Sequence, residues 1–248
     1  ASKRYEERRD RRRRWAARRE EPRRSTRGDR SAYGSPMNHE FWLQAWIEER
    51  TRFHQPDVHG DLIAADAPFL GGGPHRVLVP LCGRTLDLAW LAGHGHEVVG
   101  IELSPIAARL LFEDLGVEPE VSQLGPFEAR RHGRLTLLLG DFFAATPERI
   151  GLFDRVWDRA ALVAMDPERR GPYTATIASL LRPGGLLLQN TFSYDQARME
   201  GPPFSIPPEE LAGRYAGWEA RQLSHELMTE GPFNDRLDPT EAQIRWQI

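Results

Sequence analysis

The sequence predicts an α/β fold built on a parallel sheet, with a nucleotide-type cofactor site at one sheet edge. Three observations carry this expectation. Residues 76–102, RVLVPLCGRTLDLAWLAGHGHEVVGIE, read as strand, tight turn, helix, turn and second strand. Further short apolar runs at 135–139, 153–158 and 186–191 recur between helical stretches, as buried parallel strands do. Glu102 closes the second strand about 20 residues beyond the first turn, where nucleotide-binding α/β folds place the acid that takes ribose hydroxyls.

The turn after the first strand narrows the cofactor. A dinucleotide lays its pyrophosphate against backbone N–H groups and needs the three glycines of G-x-G-x-x-G. Here the turn is Pro80-Leu81-Cys82-Gly83-Arg84-Thr85, with one glycine. The phosphate loop G-x-x-x-x-G-K-[ST] is also absent from the chain. S-adenosylmethionine carries an adenosine and a ribose but no phosphate, so it needs the acid and close backbone approach without a phosphate cradle. A glycine-poor turn followed by Glu102 favours that cofactor over NAD. The competing reading is an ordinary β-α-β unit with an exposed Glu at a strand end.

Composition limits the function classes. The 248 residues are 40% hydrophobic, enough for a core, and hold a single cysteine, Cys82, which excludes a disulfide framework and a cysteine-based zinc site. No apolar run approaches the roughly 18 residues of a membrane span, and no charged-then-apolar leader is present; the expectation is a soluble, cytoplasmic protein. The net charge of −3 hides two unlike parts. Residues 1–36 hold 14 Lys+Arg against 6 Asp+Glu, and residues 37–248 hold 19 against 30. An acidic body argues against a nucleic acid held on the folded surface.

Two domains of unlike character follow: a disordered Arg-rich extension over 1–36 and a folded domain over 37–248. The extension lacks apolar residues in any usable period and cannot bury enough surface to fold. It reads either as a basic arm for RNA or an acidic partner, or as a dispensable tail. Asn38 can cap a helix whose Trp42, Leu43, Trp46 and Ile47 form one apolar stripe, and residues 51–56 end it. By spacing these aromatics read as core; toward a cationic sulfonium they read as a lid. Ser104-Pro105 starts the helix after Glu102, and residues 117–134 are expected to be irregular. Gly140-Asp141-Phe142-Phe143 follows the strand at 135–139, where an Asp-aromatic pair could take an adenine ring or simply serve a turn and core. Arg159 leaves the strand at 153–158, and a helix spans 167–181. Leu81, Glu102, Asp141 and Arg159 thus all follow strand ends, the edge where open α/β sheets bind ligands. The proline-rich stretch 193–208, with Pro202-Pro203-Phe204 at its centre, suggests a stiff wall to an acceptor pocket. A short helix at 209–215 and an antiparallel pair at 218–228 and 243–248 close the chain. His94 and His96 read as exposed turn histidines rather than metal ligands, and Cys82 as a packed thiol.

Several of these segments together, FWLQAW…FHQ, the VLVPLCG…VVGIELSP unit, GDFF, FDRVWDRAAL and PPFSIP, resemble the thiopurine S-methyltransferase family in its bacterial form. The resemblance runs from Met37 to about Tyr215. It implies a class I methyltransferase (Rossmann-like) fold: a seven-stranded, mostly parallel sheet between helices, with one antiparallel strand near the end. It also implies S-adenosylmethionine as methyl donor and a small thiol or related selenium or tellurium compound as acceptor; separately, no exposed apolar stripe demands a partner, so a monomer is expected, without membrane or metal. By matching motif, the cofactor contacts fall on Trp46, Leu81, Glu102, Phe142 and Arg159, with Phe53 lining the site and Arg159 able to position cofactor or acceptor. Residues after Met228 and residues 1–36 depart from the family pattern. Two alternatives stand beside it: an RNA methyltransferase tethered by the basic arm, and a non-catalytic S-adenosylmethionine-binding module.

Overall fold

The computed structural model describes residues 39–227 and 242–247, all within one compact unit, Ser35–Ile248. The readings made for residues 1–36, for the cap at Asn38 and for the divergent segment after Met228 up to 241 lie outside the described residues. In chain order the elements are helix α1 (His39–Ile47), α2 (Gly60–Ala64), a π turn (Asp66–Leu70), β1 (Arg76–Val79), α3 (Asp87–Gly93), β2 (Glu97–Glu102) and α4 (Pro105–Leu115). Then follow β3 (Glu120–Leu124), β4 (Phe127–His132), β5 (Leu135–Leu139), α5 (Pro147–Ile150), β6 (Phe153–Arg159) and α6 (Pro167–Leu180). The chain closes with β7 (Leu181–Phe192), α7 (Pro208–Arg214), β8 (Arg221–Leu227) and β9 (Ala242–Gln247).

The strands form one sheet in the order β3-β4-β5-β2-β1-β6-β7-β9-β8. Its part from β5 to β8 is the expected seven-stranded unit, in which β5, β2, β1, β6 and β7 pair in parallel and β9 alone runs against its neighbours. Short β-α connections put helices on both faces, so each parallel strand buries both sides. Alternation sorts the side chains: Leu78, Val156 and Leu187 join one apolar cluster with Tyr173, Ile177 and Leu180 of α6, while Val77, Val79, Trp157 and Leu188 join another with Leu88 and Leu91 of α3 and Leu111 of α4. Gly100 sits where a Cβ would lie 2.8 Å from Cys82 Sγ, so the strand reaches the α3 side only because this residue has no side chain.

Three expectations need correction. Residues 117–134 are not irregular. They hold the antiparallel hairpin β3–β4, joined by Gly125-Pro126 with Gly125 at φ 56°, which widens the sheet to nine strands. Every residue of β3 is exposed, so the strand lacks the apolar alternation that marks a strand in sequence. His96 is buried rather than exposed; its Nδ1 accepts from the His75 N–H at 3.1 Å and its ring stacks on His75, while His94 is the exposed member of the pair. Ile47, placed on the apolar stripe of α1, is 61% exposed, leaving Trp46 as the buried member. The helix start at Ser104 is as expected: its hydroxyl accepts from the Ala107 N–H, Pro105 opens α4 and Gly116 ends it in the left-handed region at φ 67°.

Candidate active site

At the carboxyl end of β1 the chain turns sharply through Pro80-Leu81-Cys82-Gly83. Leu81 adopts φ 47°, a left-handed conformation that costs a non-glycine residue about 1–2 kcal/mol. Gly83 follows at φ 56°, in the left-handed region that favours glycine, and the Trp46 ring packs against it, 3.4 Å from where a Cβ would stand. The turn is fastened to β2 by the Cys82 N–H, which donates to the Ile101 carbonyl at 3.0 Å.

Glu102 ends β2 and is 7% exposed. The Gly83 N–H donates to its Oε2 at 2.7 Å and the Ser104 N–H to its Oε1 at 2.7 Å. Burial pushes its pKa up, and the backbone N–H groups of Ser104, Gly83 and Leu103 pull it back. An ionised carboxylate offers about four lone-pair positions, so the carboxylate is fixed in place while keeping capacity for further donors. The Cys82 thiol beside it is pushed well up by burial and by Glu102, which makes it a packed group rather than a nucleophile.

The neighbouring strand ends add to the same edge. After β5, Asp141 caps a 3-10 turn by accepting from the Phe143 N–H at 3.0 Å, and its other oxygen meets His39 Nε2 of α1 at 3.2 Å. Phe142, 5% exposed, packs edge-on to Phe143 and against Tyr173. Arg159 is the last residue of β6; its Nη2 donates to the Phe53 carbonyl at 2.9 Å, tying the segment after α1 to the sheet. Burial lowers its pKa, opposed by the charges of Asp87 and Asp61. Asp87, fully buried, accepts from Trp157 Nε1 at 2.8 Å and the His59 N–H at 2.9 Å, and Asp61 accepts from Asn190 Nδ2 at 2.6 Å. Ala160 then takes φ 56°, a second left-handed residue at a strand end.

Over this edge lie Trp42, Trp46 and Phe53, with both tryptophans edge-on to Phe53 at 5.7 Å. Together the edge and this roof enclose a cavity of about 160 Å³. All five residues expected to hold the cofactor, Trp46, Leu81, Glu102, Phe142 and Arg159, line it, as does Phe53. Asp141 lines it too. Pro202, Pro203 and Phe204 do not: Phe204 turns into the core and its N–H donates to the Val163 carbonyl at 2.6 Å, so the proline-rich stretch braces the fold beneath the site instead of walling it. Trp42, weighed from sequence as core or lid together with Trp46 and Phe53, also lines the cavity. Its indole Nε1 is buried beside the cavity without a hydrogen-bond partner, a feature no spacing rule could show. Sequence reasoning missed Arg169, in the first turn of α6, which it read only as part of a helix.

A sequence model of the thiopurine S-methyltransferase (TPMT) family matches residues 37–240. The chain belongs to this family. It is 42% identical over 188 residues to a thiopurine S-methyltransferase of Pseudomonas aeruginosa (strain UCBPP-PA14), a match covering 75% of this chain and 86% of that protein. It is 42% identical over 198 residues to one of Pseudomonas putida (strain F1), covering 79% and 91%. Among solved structures, the Burkholderia thailandensis 1,6-didemethyltoxoflavin-N1-methyltransferase with bound S-adenosylhomocysteine superposes with a TM-score of 0.58 at 19% identity, over 91% of this chain and 92% of that one. TehB of Haemophilus influenzae does so at 0.55 and 14% identity, over 83% and 66%. At such identities the likeness shows the class I methyltransferase fold.

As a member of the thiopurine S-methyltransferase family, the chain is an S-adenosylmethionine-dependent methyltransferase. The residues lining the cavity are of types that fit this cofactor. Glu102 is a fixed carboxylate with capacity left to accept from hydroxyls, the Trp42 N–H is a donor lacking an acceptor, and aromatic faces such as those of Trp42, Trp46 and Phe53 attract cations. The glycine-poor turn offers backbone approach at Leu81 without the N–H cradle a pyrophosphate would need. Among the described residues no helix is long and apolar enough to cross a membrane, and no cluster of three or more His, Cys, Asp or Glu is set to hold a metal.

Proposed function

We propose that this chain transfers methyl from S-adenosylmethionine to the sulfur of a small acceptor, in the manner of the thiopurine S-methyltransferases it is related to, and that selenium and tellurium compounds are accepted in the same place. The observation that supports this best is the convergence of Trp46, Leu81, Glu102, Phe142 and Arg159 on one cavity at the carboxyl edge of the sheet. In this reading these five residues hold the cofactor, with Phe53 beside them.

When bound, S-adenosylmethionine would supply a methyl carbon on a positively charged sulfur, so that a thiolate bonds to that carbon in line as its bond to the sulfonium breaks and S-adenosylhomocysteine leaves. The chain's own residues align and dehydrate. Glu102 anchors the ribose from a position set by two backbone N–H bonds. Arg159, held by the Phe53 carbonyl, places positive charge where a carboxylate of the cofactor or an anionic acceptor would meet it. Trp42, Trp46 and Phe53 exclude water over the reacting centre. A thiol loses its proton to solvent before attack, and a thiolate is nucleophilic enough that alignment supplies most of what the reaction needs. No side chain is therefore assigned as a general base.

On this reading residues 37–248 form the catalytic domain, the protein works as a monomer in the cytoplasm, and its physiological role is detoxification of thiols or of selenium and tellurium species. The test is incubation with methyl-labelled S-adenosylmethionine and a panel of aromatic thiols, selenite and tellurite. Label transferred to a chalcogen supports the proposal. Tight binding of S-adenosylmethionine with no transfer to any member of the panel would refute it.

A further inference from the structure

Three arginines, Arg84, Arg159 and Arg169, line the cavity, and the first two have evident partners, as does the neighbouring Arg170 outside it. Arg159 donates to the Phe53 carbonyl at 2.9 Å, Arg84 pairs with Asp114 at 2.8 Å, and Arg170 makes two 2.8 Å contacts with the Glu210 carboxylate. Arg169 lines the cavity beside Ala161, Ala164 and Met165, half-buried, and among the described residues its guanidinium makes no hydrogen bond or ion pair. Only its backbone N–H is engaged, donating to the capping Asp166 carboxylate at 3.1 Å.

Nothing in the fold calls for a cation there. Arg169 stands in the first turn of α6, where the helix dipole disfavours positive charge, and an acid or neutral residue would serve the helix better. A residue that breaks a local rule while facing a cavity points to a ligand. Apart from Arg84, which is paired with Asp114, the charged groups around the cavity are also segregated. Glu102 and Asp141 stand at the ends of β2 and β5, whereas Arg159 ends β6 and Arg169 follows it, with β1 between the two sides. An anion entering this cavity is repelled from the β5 side and drawn to the β6 side. The apolar surface of Ala161, Ala164 and Met165 next to Arg169 suits a ring carrying that anion.

We propose that Arg169 determines acceptor specificity, pairing with a carboxylate carried by a small aromatic thiol. The proposal rests on the methyl-transfer reading above and names the acceptor class for the same site. Guanidinium and carboxylate match in a planar, two-pronged bond, so the preference depends on Arg itself and not on charge alone.

The test compares benzenethiol with its ortho, meta and para carboxylates as acceptors for the wild type, Arg169→Ala and Arg169→Lys. The wild type should prefer at least one carboxylate over benzenethiol in kcat/KM. Arg169→Ala should lower that preference at least about tenfold, corresponding to about 1.4 kcal/mol, and Arg169→Lys should restore part of it. Benzenethiol turnover and the KM for S-adenosylmethionine should stay within about twofold. A parallel loss for charged and neutral acceptors, a weakened S-adenosylmethionine KM, or no preference in the wild type would each overturn the assignment. Calorimetric titration of each of the three carboxylates into enzyme saturated with S-adenosylhomocysteine separates this from failure of the methyl-transfer reading. Binding weakened in Arg169→Ala upholds the pairing even where no acceptor is turned over, and unchanged binding sinks it.

Discussion

The N–H of Gly83 donates to Oε2 of Glu102 across 2.7 Å, so the turn after β1 and the acid at the end of β2 are one hydrogen-bonded unit. Strand pairing brings them together, since β1 and β2 are parallel neighbours and the Cys82 N–H continues their ladder to Ile101. The left-handed Leu81 and Gly83 aim the N–H, and the position of Trp46 against Gly83 extends the unit to α1. The site is thus preorganised by the backbone.

Trp42 provides a prediction whose sign differs between free and bound protein. Its buried N–H lacks an acceptor in the free chain, and such a group costs about 1–3 kcal/mol. Trp42→Phe keeps an aromatic ring and removes the donor. Thermal unfolding of the ligand-free variant should be unchanged or raised, while affinity for S-adenosylmethionine or the acceptor should fall by about 0.5–1.5 kcal/mol. Equal ligand affinities in the two proteins would remove the indole N–H from the site.

Asp158 supplies a pH signature. The residue is fully buried; it accepts from Tyr173 Oη at 2.9 Å, Gln189 Nε2 at 2.5 Å and the Ala161 N–H at 2.8 Å, yet burial pushes its pKa up to about 6 from 3.8. The folded state binds this proton more tightly than the unfolded chain. The contribution is therefore fully present below about pH 3.8 and is lost as pH rises through about 6, a span of about 3 kcal/mol. Urea unfolding across that window should show the wild type losing stability relative to Asp158→Asn as pH rises. Parallel pH profiles would contradict the buried-charge account.

Gly100 tests the packing behind the turn. A Cβ there would lie 2.8 Å from Cys82 Sγ, 3.1 Å from Leu88 Cδ2 and 3.2 Å from Leu137 Cδ1. Gly100→Ala should destabilise by about 1–3 kcal/mol through overpacking. In a Cys82→Ala background the same change should cost about 0.5 kcal/mol less or better, because the nearest clash is gone. Additive effects in the double-mutant cycle would show that the sulfur is not what excludes a side chain at Gly100.

The legible parts of the fold and site were those set by local pattern. The strand ending at Glu102 was read at its observed bounds because apolar β-branched residues and flanking turns mark it without help from tertiary context, and Ser104-Pro105 marks the start of α4 in the same way. The edge of the sheet followed from strand polarity, which is why Glu102, Asp141 and Arg159 could be placed on one side. Strand β3 escaped because an exposed edge strand carries no apolar alternation. His96 and Phe204 were misplaced because burial of a turn histidine or a loop phenylalanine depends on neighbours distant in sequence, here His75 and Val163. Trp42 and Arg169 show the same limit. A missing hydrogen-bond partner is a property of three-dimensional surroundings, and no residue spacing encodes it.

The most direct test of the central claim is calorimetric titration of S-adenosylmethionine into the wild type and Glu102→Ala. Removing the carboxylate deletes a charged acceptor and should weaken binding by about 1–3 kcal/mol, roughly 5- to 150-fold in Kd. Circular dichroism of the variant should confirm that the sheet survives the loss of the Gly83 and Ser104 bonds. A folded Glu102→Ala protein that binds S-adenosylmethionine as tightly as the wild type would contradict the assignment of this sheet edge as the cofactor site.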